Sequence, residues 1–281
     1  MSEIFDNRAC ELGEGAFWHP ERNQFFWFDI LGRKLLSRTD AGPLSWDMGE
    51  HASAAGWIDR DTLLIASESG LHRFDIATGE RTLVAALEAE RPQNRSNDGR
   101  ADPMGGFWIG TMGKRAEREA GAIYRFHGGK LRLLYDRISI PNAICFAPGG
   151  RRAYFADTSR RTIWTVALDA AGWPCERRQV FVDLEVEGLN PDGAVIDAEG
   201  ALWNAQWGAA RVARYLADAR LERTIPLPAR QPSCPCFGGA ALDALYVTTA
   251  REGLTDPAPQ DGLTFVLAPG VRGLAEPPVR L

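Results

Sequence analysis

The chain has 281 residues, 25% of them charged and 45% hydrophobic, which is ordinary globular composition with enough apolar material for a large core. Its net charge of -5, with no Lys/Arg run longer than two residues, argues against nucleic acid and anionic membranes as partners. No apolar stretch approaches the ~18 residues of a membrane helix, Met1 to Cys10 has no hydrophobic signal region, and five scattered cysteines argue against a disulfide framework, so a cytoplasmic setting is expected.

Along the chain a turn rich in Asp, Gly and Pro is followed by a short apolar-aromatic run and a small residue. The pattern appears at His19–Asp29 and Asp59–Ala66, and again at Asp102–Gly110 and Ala147–Ala156. It closes with Asp197–Ala205 and Phe237–Thr248. Taking Trp27, Leu64, Trp108, Tyr154, Trp203 and Tyr246 as markers, successive gaps run from 37 to 49 residues. That is the period of propeller blades. Runs such as Gly70–Asp75, Gly121–Phe126 and Thr162–Val166 supply further strands. Lys114–Ala120 is short and charged and reads as a loop or one turn. The expectation is an all-β, six-bladed β-propeller over residues 1–281 as one domain, with Ile4–Ala9 joining the last blade to close the ring. Cys234 and Cys236 lack C-x-x-C spacing and read as buried strand residues.

Counting back from the markers reaches the strand that would line the central channel. Trp108 leads to Asn97, Tyr154 to Asn142, Trp203 to Asp192 and Trp27 to Glu14; the same register falls near Ser53 in the second repeat and Pro235 in the sixth. Any one of these could be a turn residue. Four turns have no reason to keep step, however, and radial symmetry would gather the side chains at one mouth of the channel. Oxygen-only donors suit a hard or borderline divalent cation. The four histidines show no zinc-site spacing, and His19, before Pro20, reads as a turn residue. The tryptophans read as blade packing, with only Trp18 and Trp207 kept as site candidates.

At Leu12-Gly13-Glu14-Gly15, Arg95-Ser96-Asn97-Asp98-Gly99, Trp108-Ile109-Gly110-Thr111-Met112, Pro141-Asn142-Ala143, Tyr154-Phe155-Ala156-Asp157-Thr158, Pro191-Asp192-Gly193 and Cys236-Phe237-Gly238-Gly239, the sequence resembles the regucalcin (senescence marker protein 30)/gluconolactonase family of six-bladed propeller lactonases. The resemblance covers nearly the whole chain and implies one divalent metal ion (calcium, zinc, magnesium, manganese or ferrous iron) at one end of the channel. By it, Glu14, Asn142 and Asp192 match the metal ligands. Arg95 and Asn97 match substrate-contacting residues, Asn97 also approaching the metal through water, and Asp192 matches the general base. Members acting on neutral aldonolactones often carry an acidic residue where this chain has Arg115, flanked by Lys114.

The function this implies is hydrolysis of a sugar-acid lactone, an aldonolactone or aldarolactone, by a monomer or weak homo-oligomer. A free Asp is a feeble base, so Asp192 is read first as a ligand, with Asp98 either a second candidate base or a turn residue. Arg95 would hold substrate through its planar fork of donors. Lys114–Arg118 reads either as a lid whose charge selects a lactone bearing a carboxylate, with Arg115 a substrate contact, or as a solvated loop. Two other readings stand beside this one: a paraoxonase-like arylesterase or phosphotriesterase propeller, and a non-catalytic protein-binding propeller.

Overall fold

The computed structural model describes residues 2–281, and they form six antiparallel four-stranded sheets. Among the described residues the only helical elements are two three-residue 3-10 turns, and no helix is long and apolar enough to cross a membrane. The innermost strands of blades one to six are Gly13–His19, Ala52–Asp59, Asn94–Ala101, Pro141–Phe146, Asn190–Ile196 and Pro232–Gly238. All six marker residues fall on the second strand of their blade. Trp27, Trp108 and Trp203 are fully buried there, filling the layers between sheets.

The inner strand of each blade has a ladder partner on one side only. This explains the prolines at 141, 191, 232 and 235, which a central strand would not tolerate. It also explains the polar content of otherwise buried strands, because free backbone groups must find side-chain partners. Cys234 and Cys236 are buried here, as expected.

Ser2–Asp6 closes the ring by pairing with Thr264–Leu267 of the sixth blade. The closing strand thus ends earlier than the expected Ile4–Ala9. Arg8 turns back onto buried Asp6 through two nitrogens (2.9 Å each), and Cys10 N donates to Gly262 O at 2.9 Å, which draws the chain out of the sheet. His19 is also reassigned. It ends an inner strand, fully buried, with Nε2 3.1 Å from the Asp59 carbonyl oxygen, because the second blade packs over it.

The recurring turn aspartate has a structural cause. Asp102 accepts the Met104 and Gly106 amides and pairs with Arg125 at 2.6 Å, both side chains being fully buried with the guanidinium 4.3 Å from the Trp173 ring centroid. Asp197 repeats the arrangement with the Glu199 and Ala201 amides and Arg214. Removing one partner strands the other charge in the interior. Asp102→Ala is expected to lower stability by about 3–5 kcal/mol in urea unfolding, and adding Arg125→Met to recover most of that loss.

Candidate active site at the mouth of the channel

Every inner strand carries a register irregularity near its start: between Glu14 and Phe17, Ala52 and Ala54, Ser96 and Gly99, Asn142 and Cys145, Pro191 and Ala194, and Pro232 and Pro235. A bulge breaks the ladder and re-aims side chains. Here it turns those next to it toward the axis. The bulges of blades one, three, four and five each set three residues against two, so the uneven count-back from the markers comes from unequal turns between first and second strands and from the different registers of the markers. In the sixth blade the bulged residues are Ser233 and Cys234, while Pro235 has rejoined the ladder opposite Val247. Two bulges use left-handed backbone: Gly15 (φ 57°), and Ala143 (φ 56°), where a side chain makes the conformation cost about 1–3 kcal/mol.

Glu14, Arg95, Asn97, Asn142 and Asp192 line one cavity of about 480 Å³, together with Arg115. The first five are buried, and Arg115 stands exposed at the rim. Leu12, Met112, Ile140 and Trp207 form apolar walls. Trp18 lies elsewhere. It stacks on Tyr246 (centroids 5.6 Å apart) over Gly238, whose missing side chain makes the room, so of the two tryptophan candidates only Trp207 reaches the cavity.

Hydrogen bonds set the orientation of each polar group. Asn142 Nδ2 donates to Thr158 Oγ1 at 2.8 Å, and that hydroxyl donates to Pro191 O at 2.6 Å, so Asn142 Oδ1 points the other way. Asn97 Nδ2 donates to Asn142 Oδ1 (3.0 Å) and Pro141 O (2.9 Å), while Asn97 Oδ1 accepts from Arg95 Nη1 (2.7 Å). The Asn97 carboxamide therefore couples Arg95 to Asn142 rather than standing free. Asp98 accepts the Ile144 amide of the next blade at 2.7 Å, so its bond crosses between blades.

Glu14 and Asp192 face each other with no arginine or lysine in salt-bridge contact. Burial, then the charge of Asp98, pushes Glu14 up to about 8; burial, then Glu14 and Asp98, drives Asp192 well above the carboxylate range. Burial also raises Asp98 to about 6. Two desolvated carboxyls this close keep a proton between them unless a cation replaces it. Two carboxylates and a carboxamide oxygen are a hard-cation donor set. Among the described residues no group of three or more His, Cys, Asp or Glu side chains is arranged for a metal, so a site here depends on Asn142.

Lys114, Arg115 and Ala116 lie along the rim in the expected loop. Lys114 Nζ is bound to Glu68 Oε2 at 2.7 Å, and the same oxygen meets His51 Nδ1 at 2.7 Å. Arg118 points to solvent, 88% exposed, so the segment does not act as a unit. The residues not anticipated are Glu252, Asn190, Thr158 and Ser159. Thr158 and Ser159 directly follow the second strand of blade four, and that position was the available signal for them; Glu252 lies three residues past the second strand of blade six.

A six-bladed propeller with a polar, carboxyl-bearing cleft at the axis is the class that fold and site define. The family described as SMP-30/Gluconolactonase/LRE-like region matches residues 12–251, and the chain belongs to that family. It is 37% identical to an L-arabinolactonase of Azospirillum brasilense over 94% of this chain and 90% of the relative. It is 31% identical to a 6-deoxy-6-sulfogluconolactonase of Pseudomonas putida, over 95% and 94% of the two chains. A crystal structure of a calcium-binding protein, regucalcin, from Agrobacterium tumefaciens superposes with a TM-score of 0.98 at 43% identity, covering 100% of this chain and 98% of that one.

The carboxyl pair carries a pH signature in metal-free protein. Both groups bind protons more readily folded than unfolded, so their contribution to stability is present in full below the ordinary values of 4.5 for Glu14 and 3.8 for Asp192. It is lost as the pH rises, through about 8 for Glu14. Thermal melts of metal-free protein between about pH 5 and 9 should show wild type losing Tm faster than Glu14→Gln. Parallel curves would contradict this.

Proposed function

We propose that the protein hydrolyses the lactone ring of a sugar acid, with one divalent cation held by Glu14, Asn142 and Asp192. The observation that supports this most directly is the meeting of two buried carboxyl groups, neither in an ion pair, with an oriented carboxamide in an open cavity. Relatives named as lactonases along nearly the full chain point the same way. When bound, the cation polarises the ester carbonyl and stabilises negative charge on its oxygen.

The chain's own groups do the rest. Arg95 is buried with one nitrogen bonded to Ser96 O and Asn97 Oδ1, and the rest of its fork is available to substrate oxygens. Water adds to the carbonyl carbon as the ring C–O bond breaks. Asp192 accepts the proton from the water, and the proton ends on the released ring hydroxyl. The apolar walls of Leu12, Met112, Ile140 and Trp207 limit competing solvent.

With metal-stripped protein resupplied with each candidate ion, proton release from a panel of sugar lactones is the decisive assay. Asp192→Asn and Glu14→Gln are expected to lower kcat by about 10²-fold or more. Unchanged turnover in both variants would remove the reading, as would full activity after chelation.

At the rim Lys114 is engaged by Glu68, while Arg115 has no ion-pair partner among the described residues. Its free charge favours a lactone that carries a carboxylate away from the ring ester. An exposed charge is worth little, so Arg115→Ala should lower kcat/KM for an aldarolactone by only ~2–5-fold and leave an aldonolactone unaffected. Equal effects on the two substrates would contradict this role.

A further inference from the structure

The cavity accounts for the polar residues near the start of the inner strands but leaves a second buried polar group at their far ends. Arg100 stands one residue before the end of the inner strand of blade three and Glu276 lies in the C-terminal tail. The two form an ion pair with side chains only 9% and 10% exposed. The tail runs across the base of the ring, away from the cavity. Ala198 N donates to Arg272 O, Gly273 N to Leu242 O, Trp57 Nε1 to Glu276 O, Val279 N to Trp57 O and Arg280 N to Gly105 O, all at 2.8 Å. It therefore stitches blades five and six to blades two and three.

Arg100 does more than seal this end. Its Nε donates to Ile144 O at 3.2 Å and its Nη2 to Ala194 O at 3.2 Å, reaching blades four and five. Ile144 lies in the bulge between Asn142 and Cys145, where the ladder supplies no partner. Its carbonyl is taken by Arg100 and its amide by Asp98, two side chains of one neighbouring strand. Two residues earlier stands Asn142, after which Ala143 is held in left-handed backbone. A conformation of that kind persists only where its surroundings over-determine it.

We infer that Glu276 and Arg100 are positioning residues for the site: the tail carboxylate orients the guanidinium, which with Asp98 clamps Ile144 and so fixes the bulge that presents Asn142. The effect on cation affinity rests on the reading above, whereas the effect on the bulge does not.

The test compares wild type, Glu276→Ala and the double variant Arg100→Met/Glu276→Met. Hydrogen exchange of residues 141–146 is followed in metal-free protein, with Lys34–Thr39 as a distant reference, and Mn²⁺ binding is titrated in parallel. Glu276→Ala should speed exchange in 141–146 but not in the reference. It should weaken Mn²⁺ binding by about tenfold, the scale on which outer partners tune a metal site, and lower kcat with KM within about twofold. The apolar pair should retain Tm, since buried ion pairs are often replaceable in that sense, yet fail to restore protection. Wild-type exchange in Glu276→Ala would overturn the inference. So would equal acceleration everywhere, or protection restored by the apolar pair. If wild type binds no Mn²⁺ but 141–146 still loosens in Glu276→Ala, the cation reading fails and the positioning role stands.

Discussion

The structure depends on what happens to an inner strand that has no neighbour on its channel side. Carbonyls on such an edge need donors, and here the adjacent blade supplies them. Ser53 of blade two donates to Asn97 O of blade three, Asn97 Nδ2 to Pro141 O of blade four, and Thr158 of blade four to Pro191 O of blade five. Ser233 of blade six donates to Gly13 O of blade one. Each bond ties a side chain at the axis to the backbone of the next sheet. The residues that line the cavity are therefore also part of what holds the blades in register, and their orientation is set by the ring as a whole.

The same arrangement explains why only some blades offer ligand-type side chains. Ser53 and Ser233 occupy bulges equivalent to those beside Glu14 and Asn142, but their hydroxyls are consumed by backbone carbonyls. Longer side chains at positions 14, 95 and 192 extend past the backbone into the cavity. Polarity at the axis is thus divided between short residues that close the ring and longer ones that remain available for chemistry.

Most of this was legible in the sequence because it repeats. The marker strands recur with each blade, and counting back reached Glu14, Asn97, Asn142 and Asp192 despite turns of unequal length between first and second strands and markers in different registers. A bulge leaves no consistent sequence mark: Gly15 signals one, whereas Ala143 holds the left-handed conformation without glycine and Pro235 falls just outside its own. Glu252 was hidden because it belongs to a loop of no shared length, and the tail because its contacts are long-range and follow no repeat. The charge of Lys114 was visible, but its neutralisation by Glu68 of another blade was not.

The walls of the cavity decide how strongly its few charges act. Leu12, Met112, Ile140 and Trp207 add apolar surface around carboxyl groups already desolvated by the sheets behind them. In such surroundings Coulomb energy is weakly screened, so Glu14 and Asp192 cannot both be ionised without a compensating charge. Arg95 is held toward Asn97 by its bond there, and its charge interacts with Glu252, Glu14, Asp192 and Glu68 together. One cation so shared leaves the Glu14–Asp192 pair undercompensated, and that residual negative potential is what makes a proton or a metal ion a necessary component of the folded site.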